Sequence, residues 1–448
     1  MCVKNPYVQY MYSYPHKTAY GTLSGVRLED WLGALKKQEN SLYFHIPFCQ
    51  YKCGYCNLFS VTGQNMEYME RYFDALERQA EQIATKLPSG VEFSSLDVGG
   101  GTPLILPEKL LLKIFQIAGD YFGFDSEKYP VVVETSPNQT DSDKLQILKE
   151  NNTTRISIGV QSFIEDELKT LNRCHLVKTA REALSKIGKL NFPCVNIDLI
   201  YGIPKQSKET LLYSLEQAME YVPQEMFVYP LYVKPETYLY RNGVHINPET
   251  AGLYDAACDF LLEKRYRQDS MRRFVKVESE QELTNLPDGR CGFSNTLSLG
   301  CGGRSYIGNL HFCTPYSIRQ VECLNRLETY METDDYLQIT NGFILTKEEQ
   351  KRRYVIRHLL YGAGISFAEY KDGFNCSDVT KDFPVLCEWE NNGYVISTDT
   401  HIRLTKDGRR LSDYIGPQLI SDDVAGRMRE YNRRTETNGL AKESYIDG

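Results

Sequence analysis

Three cysteines stand close together in Tyr43-Phe-His-Ile-Pro-Phe-Cys-Gln-Tyr-Lys-Cys-Gly-Tyr-Cys56, where Cys49, Cys53 and Cys56 have a C-x3-C-x2-C spacing. Three thiolates on one short loop can converge on a single inorganic centre, and thiolate is the usual protein ligand of iron–sulfur clusters. A closed structural site takes four protein ligands, whereas a site that does chemistry keeps a position open. Three cysteines with no evident fourth point to a four-iron cluster with one iron free for substrate or cofactor. Without its flanks, the same spacing also suits ordinary free thiols, or part of a zinc site completed elsewhere in the chain.

The elements that must position this loop are legible from hydrophobic periodicity. Tyr43 to Phe48 reads as a short strand stopped at Pro47. Met66 to Leu87 places Met69, Tyr72, Phe73, Leu76, Ala80 and Ile83 at helical spacing. Strands are predicted at 95–98, 131–135, 155–158, 195–200 and 226–232. Helices are predicted at 106–122, 141–150, 164–171, 177–189 and 207–221. Short strands alternating with longer helices are the sequence form of repeated βαβ units on a parallel sheet. About six such units fit, fewer than a closed eight-fold barrel needs. The α/β fold expected is therefore a partial barrel, open on one side. The polar and glycine-rich segments fall at the C-terminal ends of its strands, the edge where such sheets bind ligands.

Five segments are expected: a tyrosine-rich arm (1–40), the partial barrel (41–240), a less regular extension (241–345), a separate module (346–420) and a polar, mobile tail (421–448). In the arm, the reading preferred is aromatic packing on the main domain over closure of His16 and Lys17 onto a substrate. In the extension, Tyr266 to Phe274 reads as one strand and Leu299 to Tyr306 as a glycine-rich turn. The module reads as a helix from Lys347, helical segments at 367–392, a hairpin of Gly393–Ser397 with His401–Leu404, and a final helix from Lys406 to Ile420.

At 448 residues the chain has room for two or three domains. No apolar run is long enough for a membrane-spanning helix, and a net charge of −8 gives no support to broad nucleic-acid binding. Met1-Cys-Val-Lys-Asn-Pro6 has no signal-peptide core. Thirteen cysteines, an odd number, argue for a reducing compartment, so a cytoplasmic protein is expected, without membrane or nucleic-acid partners. Most cysteines outside the loop are expected to be small buried apolar residues, with a ligand role for Cys291 and Cys301 or Cys313 disfavoured.

The wording His45-Ile-Pro-Phe-Cys49 through Tyr55-Cys56 resembles the cluster loop of the radical S-adenosylmethionine (SAM) superfamily. It is similar to the branch holding oxygen-independent coproporphyrinogen III oxidase and the HemW-type haem chaperones. Further matches follow in family order: Gly99-Gly-Gly-Thr-Pro103, Glu134-Thr-Ser-Pro137, Gly159-Val-Gln-Ser-Phe163, Leu171-Asn-Arg-Cys-His175 and Asp198-Leu-Ile-Tyr-Gly-Ile-Pro204. Leu404-Thr-Lys-Asp-Gly408 matches the Leu-Thr-x-x-Gly phrase of the family's C-terminal, winged-helix-like α+β module.

The resemblance implies a [4Fe-4S] cluster on Cys49, Cys53 and Cys56, and one SAM or two. It implies reductive cleavage of SAM to a 5′-deoxyadenosyl radical that abstracts hydrogen. It assigns Gly100, Gly101 and Thr102 to the methionine amino group, Glu134 to a SAM contact, Gln161 and Asp198 to the ribose and Arg173 to the carboxylate. Tyr43 and Tyr55 would line the cluster and cofactor. Each also has an ordinary reading: Glu134 or Asp198 as a helix cap, Arg173 as a surface charge, the glycines as a tight turn.

The chain departs from the family at two places. Leu58 stands where coproporphyrinogen dehydrogenases have an extra cysteine, and the chaperones' His-Asn-x-x-Tyr-Trp segment is missing. The leading expectation is a radical SAM oxidoreductase acting on a small molecule or peptide, with flavodoxin or ferredoxin as low-potential electron donor. The others are a two-SAM C-methyltransferase or cyclopropanase, and a tetrapyrrole carrier. Arg272, Arg273 and Arg304 are candidates for an anionic substrate, with structural ion pairs as the equal alternative.

Overall fold

The computed structural model describes residues 6–36, 39–279, 295–375 and 378–443, with side chains to residue 434. Cys2, Cys291 and Cys376 lie outside these residues. The chain divides into two compact units. One holds Tyr20–Leu253 with Ser294–Ile344, and the other Met1–Ala19, Tyr254–Phe293 and Leu345–Gly448.

In the first unit β1 is Gly21–Arg27, β2 Asn40–Ile46, β3 Phe48–Cys49, β4 Val61–Thr62 and β5 Ser95–Gly100. They are followed by β6 Val131–Thr135, β7 Arg155–Gln161, β8 Cys194–Tyr201 and β9 Glu225–Pro230. Six of these run parallel in the order β2-β5-β6-β7-β8-β9. The connections carry α1 Met66–Ala84, α2 Glu108–Phe122, α3 Ser142–Glu150, α4 Glu165–Thr170 with α5 Val177–Gly188, and α6 Lys208–Met219. This is the partial barrel of six βα units.

The helix starts follow from capping chemistry. Asn65 accepts the Tyr68 amide at α1, Asp141 accepts that of Lys144 at α3, and Ser207 forms a capping box with Thr210 at α6. Leu42, Phe44, Leu96, Val98, Val131, Val133, Ile156, Ile158, Ile197 and Met226 form the buried apolar face of the sheet. Full burial of each contributes about 1.5–3 kcal/mol. Strand alternation puts the other residues on the opposite, concave face. Tyr43 there pairs in register with Asp97, Glu134 with Ser157, Ser157 with Asn196 and Gly159 with Asp198.

Four more strands extend the sheet where the sequence suggested irregular chain. Asn295–Leu299 runs parallel to β2, and Arg304–Ile307, Leu310–Cys313 and Gln338–Ile344 continue antiparallel to β1 at the edge. The first three are only four or five residues long and lack intervening helices, so the βαβ rhythm that marks the barrel is missing.

In the second unit, the stretch read as one strand is a hairpin, Tyr266–Gln268 with Arg273–Lys276. Arg272 lies in its turn, 4% exposed, in an ion pair with Asp413 and 3.9 Å from the Tyr10 ring centroid. Arg273 pairs with Asp269 at 3.2 Å. Both arginines are structural ion-pair partners, not candidates for substrate. The expected arm of residues 1–40 is divided: its described residues up to Ala19 pack within this unit, where Tyr14 donates to Glu349 and the Gln9 amide to the Asp413 carbonyl at 3.1 Å, whereas Gly21–Arg27 is strand β1 of the first unit.

The C-terminal module has a helix Lys347–Leu359, shorter helices at 367–391 and a sheet in which His401–Leu404 lies between Ile365–Ser366 and Val395–Ser397. The Leu-Thr-x-x-Gly phrase has a local cause. Thr405 caps the helix Lys406–Arg410 by accepting the Gly408 amide, and a Cβ on Gly408 would collide with the Tyr394 carbonyl. The final helix predicted to Ile420 is broken into Lys406–Arg410 and Ser412–Gln418, and the polar tail begins as a helix, Asp422–Glu443. Among the described residues, no helix is long and apolar enough to cross a membrane.

Candidate functional site

The loop carrying Cys49, Cys53 and Cys56 is held through its backbone. The Val61 amide donates to Pro47 at 2.7 Å, and the Cys56 amide to Cys53 at 3.1 Å. Gly54 donates to Leu171 and accepts from the Leu239 amide, and a Cβ on Gly54 would lie 2.9 Å from the Leu171 carbonyl. Lys52 Nζ donates to the carbonyls of Ser60 and Ile318 at 3.3 and 2.7 Å. The three cysteines are in no disulfide and are partly exposed, and burial, then the neighbouring Cys56, pushes the Cys49 thiol up to about 12. Among the described residues, no three such donors converge for a single metal ion. Zinc thiolates need short bonds of about 2.3 Å to one atom. A four-iron cluster instead takes one thiolate at each of several iron atoms, and a donor set of three cysteines on one pinned loop suits it.

The glycine turn closes against this loop. Gly101 and Thr102 donate their amides to the Ile46 and Phe48 carbonyls at 2.7 and 2.8 Å. What the turn offers an incoming amino group is therefore carbonyl oxygen. A Cβ on Gly101 would lie 2.5 Å from the Phe48 carbonyl and 2.9 Å from Cys49 Sγ. Gly100 has φ +119°, and a Cβ there would meet the His45 ring at 2.7 Å. Thr102 Oγ1 is 3.7 Å from Cys49 Sγ, and the Gly100 amide donates to Glu134 Oε2 at 3.2 Å.

Glu134 and Asp198 do not cap helices, since Asp141 and Ser207 do that on the elements that follow. Glu134 is open to solvent on the concave face, yet the protein around it raises its pKa to about 7 through desolvation, opposed by the Gly100 amide. Desolvation likewise raises Asp198 to about 6, opposed by the Asn196 amide that donates to it at 2.7 Å. Arg155, on the same face, is paired with Glu225 at 2.7 Å. Tyr43 bonds His45 Nδ1 at 3.3 Å, and its phenol is pushed up by burial and then by Glu134.

Gln161 is buried and has φ +75°, where the β7–β8 register shifts after Gly159. A non-glycine residue in the left-handed region costs about 1–3 kcal/mol and persists where surroundings over-determine it, often at functional sites. Arg173 lies in the turn after α4. It donates Nη1 to Cys53 Sγ at 2.9 Å and Nη2 to the Gly159 carbonyl. Its Nε is buried with no hydrogen-bond partner among the described residues. Tyr55 packs on the apolar cluster of Leu171, Ile200, Ile203, Leu231 and Leu239. Burial raises its phenol strongly, while Arg173 pulls it down.

The predicted residues thus form one cluster end (the three cysteines, Thr102, Arg173, Tyr55) and one polar wall (Tyr43, Glu134, Asp198). Sequence reading missed several others. His45 braces the glycine turn and bonds the Phe59 carbonyl at 3.0 Å. His175 bonds the Val160 carbonyl at 3.1 Å and is held neutral, its pKa lowered by burial to about 3. Lys52 ties the loop, and Asp97 lies on the wall. Alternation along Ser95–Gly99 was the available signal for Asp97.

The family model of the radical SAM superfamily matches residues 43–218. The chain is 26% identical over 385 residues to the heme chaperone HemW of Bacillus subtilis, covering 84% of this chain and 97% of that protein. It is 24% identical over 428 residues to the oxygen-independent coproporphyrinogen III oxidase of Escherichia coli, covering 90% and 92%. The solved structure of the Escherichia coli coproporphyrinogen III oxidase HemN superposes with a TM-score of 0.78 at 23% identity, over 92% of this chain and 96% of that one.

Proposed function

We propose, for a chain that is a radical SAM protein of the HemN/HemW-like branch, that it is an enzyme using one [4Fe-4S] cluster and SAM for hydrogen abstraction from a small molecule or peptide. Bound together, cluster and SAM supply reductive cleavage of the sulfonium C–S bond, yielding methionine and a 5′-deoxyadenosyl radical. Cys49, Cys53 and Cys56 hold the cluster. The carbonyls of the Gly99–Thr102 turn receive the methionine ammonium, and Arg173 pairs with the carboxylate, for which a guanidinium fork is suited. Asp198 and Gln161 hold the ribose end, and Tyr55 and Tyr43 exclude water on either side.

The observation that carries this reading is that two of the three cysteines touch the residues assigned to SAM: Thr102 to Cys49 at 3.7 Å and Arg173 to Cys53 at 2.9 Å. These contacts support a reading in which cofactor and cluster share one site. A flavodoxin or ferredoxin is the expected electron donor. Electron paramagnetic resonance tests the assignment. Adding SAM to the reduced, reconstituted cluster shifts its signal, and Arg173→Gln weakens the shift; a signal insensitive to SAM contradicts it.

A tetrapyrrole carrier is the second reading, favoured by the similarity to HemW. It predicts stoichiometric haem binding without SAM cleavage. Conversion of coproporphyrinogen is not proposed, because Leu58 is an exposed apolar side chain where that activity's extra cysteine is expected.

A further inference from the structure

Below the residues assigned to SAM, two acceptors on the concave wall, Asp97 and Asn196 Oδ1, receive no hydrogen bond among the described residues. Asp97 lies two residues before Gly99 on β5, one repeat of about 7 Å deeper along the strand. It is in register with Tyr43 and faces the same side. The missing Cβ of Gly99 would point there, 2.8 Å from Glu134 Oε2 and 3.1 Å from the Tyr43 hydroxyl. No hydrogen bond or ion pair engages Asp97 among the described residues, and the cation it feels, Arg155, is already paired with Glu225.

Asn196 gives an independent sign on the same wall. It is 1% exposed and donates Nδ2 to Ser157 and Asp198, both at 2.7 Å, while its Oδ1 has no partner among the described residues. A buried acceptor left unmatched costs about 1–3 kcal/mol, so a ligand bringing donors is favoured there. Arg304 acts on Tyr43 and Arg155 and Arg173 on Asp198, so the wall carries cations as well as carboxylates, but Arg155 is the only one of them that acts on Asp97.

We infer that the substrate carries a cationic nitrogen, an ammonium or guanidinium group, which docks on Asp97 beneath SAM. The inference rests on the radical SAM reading and narrows it. A carboxylate would find no free cation at Asp97 itself among the described residues, because Arg155 is held by Glu225.

The test uses the full chain, reconstituted with cluster and loaded with SAM. The probes are agmatine, lysinamide and spermidine, with tricarballylate as polycarboxylate control, and binding is read by calorimetry. At least one amine is expected to bind, tricarballylate is not, and Asp97→Asn is expected to weaken the amine tenfold or more with SAM affinity within twofold of wild type. Asp97→Ser repeats the comparison if the first variant loads poorly with iron. Absence of amine binding to the wild type, equal binding to the variants, or loss of SAM affinity on substitution overturns the inference. Failure of the radical SAM reading is distinguishable, because the wild type would then bind no SAM whatever the amines do.

Discussion

Arg173 Nη1 lies 2.9 Å from Cys53 Sγ, although the two residues are 120 positions apart in the chain. The second guanidinium nitrogen holds the Gly159 carbonyl, so one side chain links the cysteine loop to the end of β7. Lysine can supply the charge but not the fork. Arg173→Lys is expected to weaken SAM binding about tenfold or more while leaving iron content near wild type. Calorimetry beside an iron assay checks this, and unchanged affinity would remove Arg173 from the SAM site.

Gly101 is enclosed by backbone as well as by Cys49. The added methyl of Gly101→Ala must displace the Phe48 carbonyl, which has no flexible end to move. Such overpacking costs about 1–3 kcal/mol. Poor cluster loading together with a lowered melting temperature is expected. Normal iron content in the alanine variant would show that the turn does not shape the cysteine loop.

Gln161 combines strain with burial. Gln161→Gly removes the left-handed penalty, so it is expected to stabilise the fold by about 1 kcal/mol while weakening SAM binding. Thermal unfolding and SAM titration are measured on the same preparation. A glycine variant that is more stable and binds SAM normally would make the strain incidental.

Desolvation raises Asp97 from its ordinary 3.8 to about 6, opposed by Arg155. The folded state holds the proton more tightly than the unfolded one. The stability this gives is fully present below pH 4 and is lost as pH rises to about 6. Asp97→Asn therefore should stabilise the cofactor-free protein by about 2–3 kcal/mol at pH 8 and by about half that at pH 5. Urea unfolding at the two pH values checks it, and a gain independent of pH contradicts it.

The six-strand barrel was legible because β-branched and apolar runs such as Val131–Val133 alternate with amphipathic helices such as α1, and both periods are local. The cysteine loop and glycine turn were legible from residue type and spacing. His45 was not, and Asp97 only in part: alternation along Ser95–Gly99 puts it on one side of the strand, but which side looks inward is decided only when six strands associate. The pairing of Arg272 with Asp413 was hidden for the same reason, being set by a contact 141 residues apart. The hairpin at 266–276 was misread because its turn, Asp269-Ser-Met-Arg272, contains neither glycine nor proline.

The central claim is that Cys49, Cys53 and Cys56 hold a cluster that cleaves SAM. The most direct measurement is 5′-deoxyadenosine formed anaerobically by the reconstituted, reduced protein with SAM, beside Cys53→Ala. Product is expected from the wild type and none above background from the variant. A wild-type protein that holds a reduced four-iron cluster, binds SAM and yet forms no product, with or without the amine probes, would contradict it.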